Sequence, residues 1–240
     1  MDKIRIKVIK LGKQSHEDLF KRLKKYNSRI FETKIYEMSR PKCDYEWGYK
    51  FETLEKLLKI NFEDDKFDMC IGFVDTVIEK NYFGKRLNKN NFYIISFYEI
   101  DRILKDRNID LFNYMITTVY RFITRYKLRI IGNDLVHDET RGCIFDMCGD
   151  KHDIVYFCQE SIICDECKSK IYNYSCSDDY MSELKGELEN IKKPLFYKVS
   201  DFIKSHPKLS LAIGILSSII LNLISCGIYD IIKFIIGINV

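Results

Sequence analysis

Two short stretches, RGCIFDMC and CDEC, place thiols at positions 143, 148, 164 and 167. Four residues separate Cys143 from Cys148, and two separate Cys164 from Cys167. Thiolates are soft donors, and Zn²⁺ takes four ligands in a closed tetrahedron when its role is structural. In zinc-finger peptides such binding is worth on the order of 10–16 kcal/mol, enough to organise a loop-rich region with little core. The expected shell is Cys143, Cys148, Cys164 and Cys167. Cys158 lies between the pairs as a substitute ligand. The plainer alternative is four free buried thiols.

A second kind of chemistry is open to the adjoining stretch NDLVHDETRGC (133–143). It carries Asp134, His137, Asp138, Glu139 and Arg141, with Asp146, His152 and Asp153 further on. Two histidines with carboxylates can bind a metal or exchange protons. His137, Glu139 and His152 are therefore the candidate catalytic residues. The same residues also suit loop capping and solvation, with Arg141 paired to a carboxylate.

These loops need a scaffold, and the first two thirds of the chain supply one. KIRIKVIKL (3–11) alternates, with Ile4, Ile6 and Val8 on one face and Lys or Arg on the other, as in a half-buried strand. Ser15 is positioned to cap a helix running to about Lys25. A strand is expected near Phe31–Tyr36 and a helix over 50–60. Buried strands are expected over 67–75 and 92–98. A long helix is expected over 109–128, with Asp110 in its first turn and Leu111, Met115, Thr118, Phe122 and Tyr126 along one stripe. This order predicts an α/β fold, a mixed sheet with helices packed on it.

The expected domain, 1–178, leads into a helical connector over 179–207. The stretch 175–193 is polar and charged. Pro194 can start a further helix, in which Leu195, Phe196, Val199, Phe202 and Ile203 recur at helical spacing. That segment reads as an amphipathic juxtamembrane helix or as one packed on the domain.

Residues 208–240 change character. The 21 residues between Lys208 and Asp230 carry no charge, and eleven are Ile or Leu. As a helix they span roughly 30 Å, the thickness of the hydrocarbon core. At roughly 0.3–0.6 kcal/mol for each Ile or Leu, insertion is favoured by about 3–7 kcal/mol, less what Ser, Gly and Asn subtract. Lysines 192, 193, 198, 204 and 208 precede the segment, and Lys233 alone comes after it. That asymmetry predicts a single-pass protein of the cell membrane with its main domain in the cytoplasm. Ser210, Gly214, Ser218, Asn222 and Cys226 recur every fourth residue. Such a stripe lets two helices approach closely and predicts a homo-oligomer.

The 240 residues carry a net charge of +4, so no strong field makes nucleic acid the default partner. MDKIRIKVIKLGK lacks the continuous apolar core of a signal peptide. In a reducing cytoplasm, nine cysteines favour metal and free thiols over disulfides.

The cysteine spacing resembles that of the archaemetzincins, zinc-dependent metallopeptidases with the pattern HExxHxxGxxHCx4CxM and a downstream CxxC. Cx4C (143–148) and CxxC (164–167) stand in that order here. IRIKVIKLGKQSHEDLFKRL resembles the family's opening strand, turn and helix, and CIGFVDTVIEKNYFGKRLNKNNFYIIS its central stretch. The resemblance covers about residues 3–170 and is most specific at the cysteines. It implies a metzincin-like fold and a structural zinc. HExxH, however, occurs nowhere in the chain. The helix that would carry it has Thr117, Thr118, Arg121 and Arg125. Gly142 takes the place of the third zinc histidine, and Asp150 that of the methionine. A water-activating zinc needs three fixed ligands and a base, so the resemblance implies a lost peptidase centre.

Three functions compete. The first is a membrane-anchored, non-catalytic sensor or effector that binds a protein or small molecule and self-associates in the membrane; bacterial defence proteins often combine such parts, by analogy alone. The second is a membrane-tethered metallohydrolase using His137 and Glu139. The third is a zinc-ribbon-like nucleic-acid binder, against which the interleaved acids and the apolar segment argue. The first is the expectation taken forward.

Overall fold

A computed structural model describes residues 2–12, 15–62, 66–87, 91–130, 132, 134–174, 176–193 and 195–236. Two compact units divide at 193/194.

The first unit is built on a five-stranded sheet. Its strands are β1 (Ile4–Leu11), β2 (Phe31–Met38), β4 (Met69–Val74), β6 (Gly84–Leu87) and β7 (Phe92–Ser96), in the order β2-β1-β4-β7-β6. The β1, β2, β4 and β7 strands are parallel, and β6 closes the edge antiparallel to β7. Short β3 (Gly48–Tyr49) and β5 (Val77–Ile78) pair separately. The expected mixed sheet is present. The β1 strand differs from expectation in being central and buried on both faces, Lys7 and Lys10 included. Each lysine carries its charge to the rim on an apolar stem. The Lys7 ammonium lies 4.5 Å from the Tyr36 ring centroid, and that of Lys10 lies 2.7 Å from Glu17.

Helices cover both faces of the sheet. Leu54 and Leu58 of α2 (Phe51–Ile60) pack against Ile9, Cys70 and Ile94. On the other face lie α1 (Glu17–Lys25) and α4 (Leu111–Lys127), with α3 (Ile100–Lys105) beside them. The N-cap of α1 is His16, not Ser15, and its side chain makes no capping bond. The strand expected over 92–98 stops at Ser96, because α3 starts four residues later.

The α4 helix is the central support. Asp110 is its N-cap and accepts a hydrogen bond from the Phe112 amide, so it lies just outside the first turn expected to hold it. Residues 112–125 are all buried, far beyond a single apolar stripe. The polar positions of α4 anchor segments on its C-terminal side in the chain. Asn113 donates to the carbonyls of Cys158 and Lys192, Thr117 bonds Ser161, and Thr124 bonds the Tyr180 hydroxyl. Three short helices wrap round it: α5 (Ile154–Gln159), α6 (Asp165–Asn173) and α7 (Asp178–Glu189).

The first compact unit runs past the expected boundary at 178, to Lys193. The α7 helix buries Tyr180, Met181, Leu184 and Leu188, and Glu187 accepts hydrogen bonds from Tyr120 and Ser28. A polar, charged sequence on its outer face hides an apolar inner one.

The second unit comprises α8 (Leu195–Ser205) and α9 (Pro207–Ile236). Leu195, Val199, Phe202 and Ile203 of α8 are exposed. Pro194 and the side chains of Phe196 and Lys233 lie outside the described residues. One stretch of α9, Pro207–Tyr229, has mean hydropathy 2.2 with none of it buried, and is long and apolar enough to cross a membrane. The helix continues past Asp230 to Ile236, so the apolar tail extends it. Hydroxyls of Ser210, Ser217, Ser218 and Ser225 each bond the carbonyl four residues back, which satisfies them without a partner.

Candidate metal centre

The chain folds round the thiols through two short backbone bridges. His137 pairs as a short bridge with Asp146, and Cys143 with Ile162. Between them the backbone turns at Gly142, whose φ of +75° suits glycine. The Ile144 amide bonds the Ile162 carbonyl, and the Met147 amide bonds that of His137. Cys164 is the N-cap of α6, and Cys167 lies in its first turn. The Cys-x2-Cys spacing thus sets both sulfurs at the positive end of a helix, which favours thiolates.

Four donors converge: His137 Nε2 or Nδ1 with the sulfurs of Cys143, Cys164 and Cys167, all within 4.8 Å of one another. The group differs from the expected shell. Cys148 is not in the group, and His137 takes its place. The Cys148 thiol is buried in the core cluster, where desolvation pushes it up to about 12 despite Arg121 nearby. Cys158 is no substitute either; it is fully buried, and burial raises its thiol well above the ordinary value.

The histidine is prepared for ligation through one nitrogen. A carbonyl only accepts, so Nδ1, 2.9 Å from the Glu139 oxygen, carries the proton and donates. Nε2 faces Cys164 Sγ at 3.6 Å. Cys143 Sγ accepts from the Cys164 amide at 3.4 Å. The Cys143 thiol is drawn below its usual value, first by the hydrogen bond from Cys167, against burial. The Cys167 thiol moves the other way, first because it donates to Cys143, and then because burial and the neighbouring sulfurs disfavour a second thiolate. A cation reverses that penalty for every sulfur at once.

These residues fit zinc. Zn–S bonds of about 2.3 Å in a tetrahedron set donor separations near ~3.8 Å, so a cluster within 4.8 Å closes on an ion by small rotamer changes. Three sulfurs and one imidazole fill the coordination sphere and leave no position for a reacting water. The outer groups are also set. Arg141 bridges Glu139 and Glu166, with one guanidinium nitrogen 3.9 Å from Cys164 Sγ. Asp146 is fully buried; one carboxylate oxygen accepts from the Arg141 amide, and the other lies 3.4 Å from His137 Nε2.

The proposed catalytic trio does not assemble as an active site. His137 belongs to the metal group. The Glu139 side chain is engaged by Arg141. His152 sits exposed in a 3-10 turn, hydrogen-bonded to Asp150. In the sequence His137 stands six positions before Cys143 as a metal-capable residue, but the tidier Cys pairs mask its partnership with them.

The fold and site define a mixed α/β domain with a His/Cys zinc site. No family model and no curated protein matches the chain. Among solved structures it is similar to the crystal structure of archaemetzincin (AmzA) from Archaeoglobus fulgidus, complexed with malonate. That similarity has 18% identity and a TM-score of 0.42, over 70% of this chain and 99% of the other.

Proposed function

We propose that the chain is a non-catalytic zinc protein whose first unit recognises a ligand and whose α9 helix anchors it in a membrane. The observation that supports this reading most is the closed donor set at His137, Cys143, Cys164 and Cys167, which suits a structural ion. The helix positions at 117, 118, 121 and 125 hold buried Thr and Arg, which cannot ligate zinc at neutral pH. The length and composition of 207–229 support the anchor. A cytoplasmic recognition unit on a membrane helix is the arrangement of a sensor or effector, as in bacterial defence; that last step is analogy. The test is metal content with membrane fractionation. One zinc per chain, retained in Cys148→Ser and lost in Cys143→Ser, together with pelleting of full-length chain but not of 1–206, is the expected result. A second, His152-dependent metal, or soluble full-length chain, overturns it.

A further inference from the structure

A cleft of about 920 Å³ in the first unit runs between the edge strand β6 and the buried helix α4. Its volume lies within the range of small-molecule sites. Seven Lys and Arg residues line it against two Asp, Asp2 and Asp68, and Asp68 is held by Arg5. Two of the cations, Arg121 and Arg125, are 7% and 8% exposed and sit one turn apart on α4.

Burying a guanidinium is costly unless a carboxylate or several acceptors compensate it. Among the described residues neither arginine makes an ion pair. Arg121 donates to the Asp146 carbonyl, and Arg125 to that of Gly132. The Nε of Arg125 is buried with no partner. Burial, with each arginine repelling a cationic neighbour, weakens both; Arg121 falls to about 10. Lys3, Lys85 and Arg129 stand round them in the cleft lining. Phe83 and Tyr82 add aromatic surface; Arg121 lies 5.5 Å from the Phe83 ring centroid.

We infer that this cleft binds a small polyanion carrying phosphate groups, of the nucleoside polyphosphate class, with Arg121 and Arg125 as its buried anchors. Planar guanidinium forks match phosphate oxygens bidentately, and two forks one helical turn apart suit consecutive phosphates. An aromatic wall suits the flat ring of a base. The inference deepens the proposed ligand-recognition role and names its ligand class; it does not depend on the membrane helix.

The test uses full-length, zinc-loaded protein in detergent, with inorganic tripolyphosphate and then ATP as probes, read by calorimetry at about 50 and 200 mM salt. Saturable tripolyphosphate binding is expected, weakening with salt, with ATP tighter than tripolyphosphate. Arg125→Met is expected to weaken both roughly 10- to 100-fold with zinc content unchanged. Arg129→Glu, on the exposed rim, is expected to lower affinity less and to flatten the salt dependence. It keeps the test decisive should Arg125→Met fail to fold. No tripolyphosphate binding at about 1 mM, affinity unaltered by either substitution, or poly-glutamate binding more tightly than tripolyphosphate overturns the inference. Phosphate binding by a chain that fails to pellet with membranes would sink the anchor and leave the cleft standing.

Discussion

Arg121 donates a hydrogen bond to the backbone carbonyl of Asp146 across 3.0 Å. This joins the central helix to the loop that carries His137 and Cys143. Val136 and Met147, which flank the His137–Asp146 bridge, also line the basic cleft. The loop that carries the metal donors is therefore one wall of the cleft.

Zinc content separates the two possible ligand sets. His137→Ala is expected to lower zinc affinity by a factor of about 100, since one ligand in four carries roughly 3 kcal/mol of the binding energy of such sites. Cys148→Ser is expected to leave it within about threefold, since that sulfur is outside the group. Competition with a zinc chelator measures both.

Removing the ion reaches the cleft. Chelation is expected to release the wall at Val136 and Met147 and to weaken tripolyphosphate binding together with hydrogen-exchange protection of 134–148. The first helical turns of α4, held by Asp110 and the core, are expected to remain protected.

Asp110 caps α4 and pairs with Arg22 through contacts of 2.9 and 2.8 Å. Burial raises its carboxyl, but the Arg22 hydrogen bonds and the Phe112 amide outweigh that and leave it below the ordinary value. Its folded value is depressed, so its contribution is complete above the unfolded value of about 3.9 and disappears as pH falls through the lower folded one. Asp110→Ala is expected to cost about 2 kcal/mol at neutral pH, discounted for the half-exposed Arg22. Urea unfolding curves of the two proteins are expected to converge in acid.

The α7 helix is expected to be required for folding. A fragment ending at 178 would strip Glu187 from the buried Tyr120 hydroxyl and remove Leu184 and Leu188 from the core. Fragment 1–193 is expected to melt cooperatively, whereas 1–178 is expected to aggregate. Glu187→Ala in the longer fragment is expected to cost about 1–3 kcal/mol through the acceptor lost to the Tyr120 and Ser28 hydroxyls and the Arg29 amide, read by thermal denaturation.

The small-residue stripe of α9 predicts self-association. Crosslinked oligomers in membranes are expected to diminish in Gly214→Leu and Asn222→Leu, and to persist in Leu216→Ala; equal yields in all three would remove the stripe from consideration.

Strictly local signals settled much of this protein. Alternation marked β1, and continuous apolar runs marked β4 and β7, because side-chain direction in a strand depends only on the next residue. An uncharged run after Lys208 marked α9 by its length and composition alone. Three of the four metal donors came from thiol chemistry and spacing. Four-residue β6 and the short α3 passed unseen, since elements of that length carry too little periodicity to register.

Only the tertiary structure decided the rest. It gathered His137, rather than Cys148, with the other three thiols, because donors meet where the Gly142 turn and the Cys143–Ile162 pairing bring the backbone, not by spacing along the chain. It drew the charged segment 178–189 into the domain, since the Tyr120 and Thr124 groups that receive it lie some sixty residues away. It also turned two arginines of α4 into neighbours of a cleft. Their burial comes from elements packed on every side of that helix, a fact that no single stretch of sequence contains.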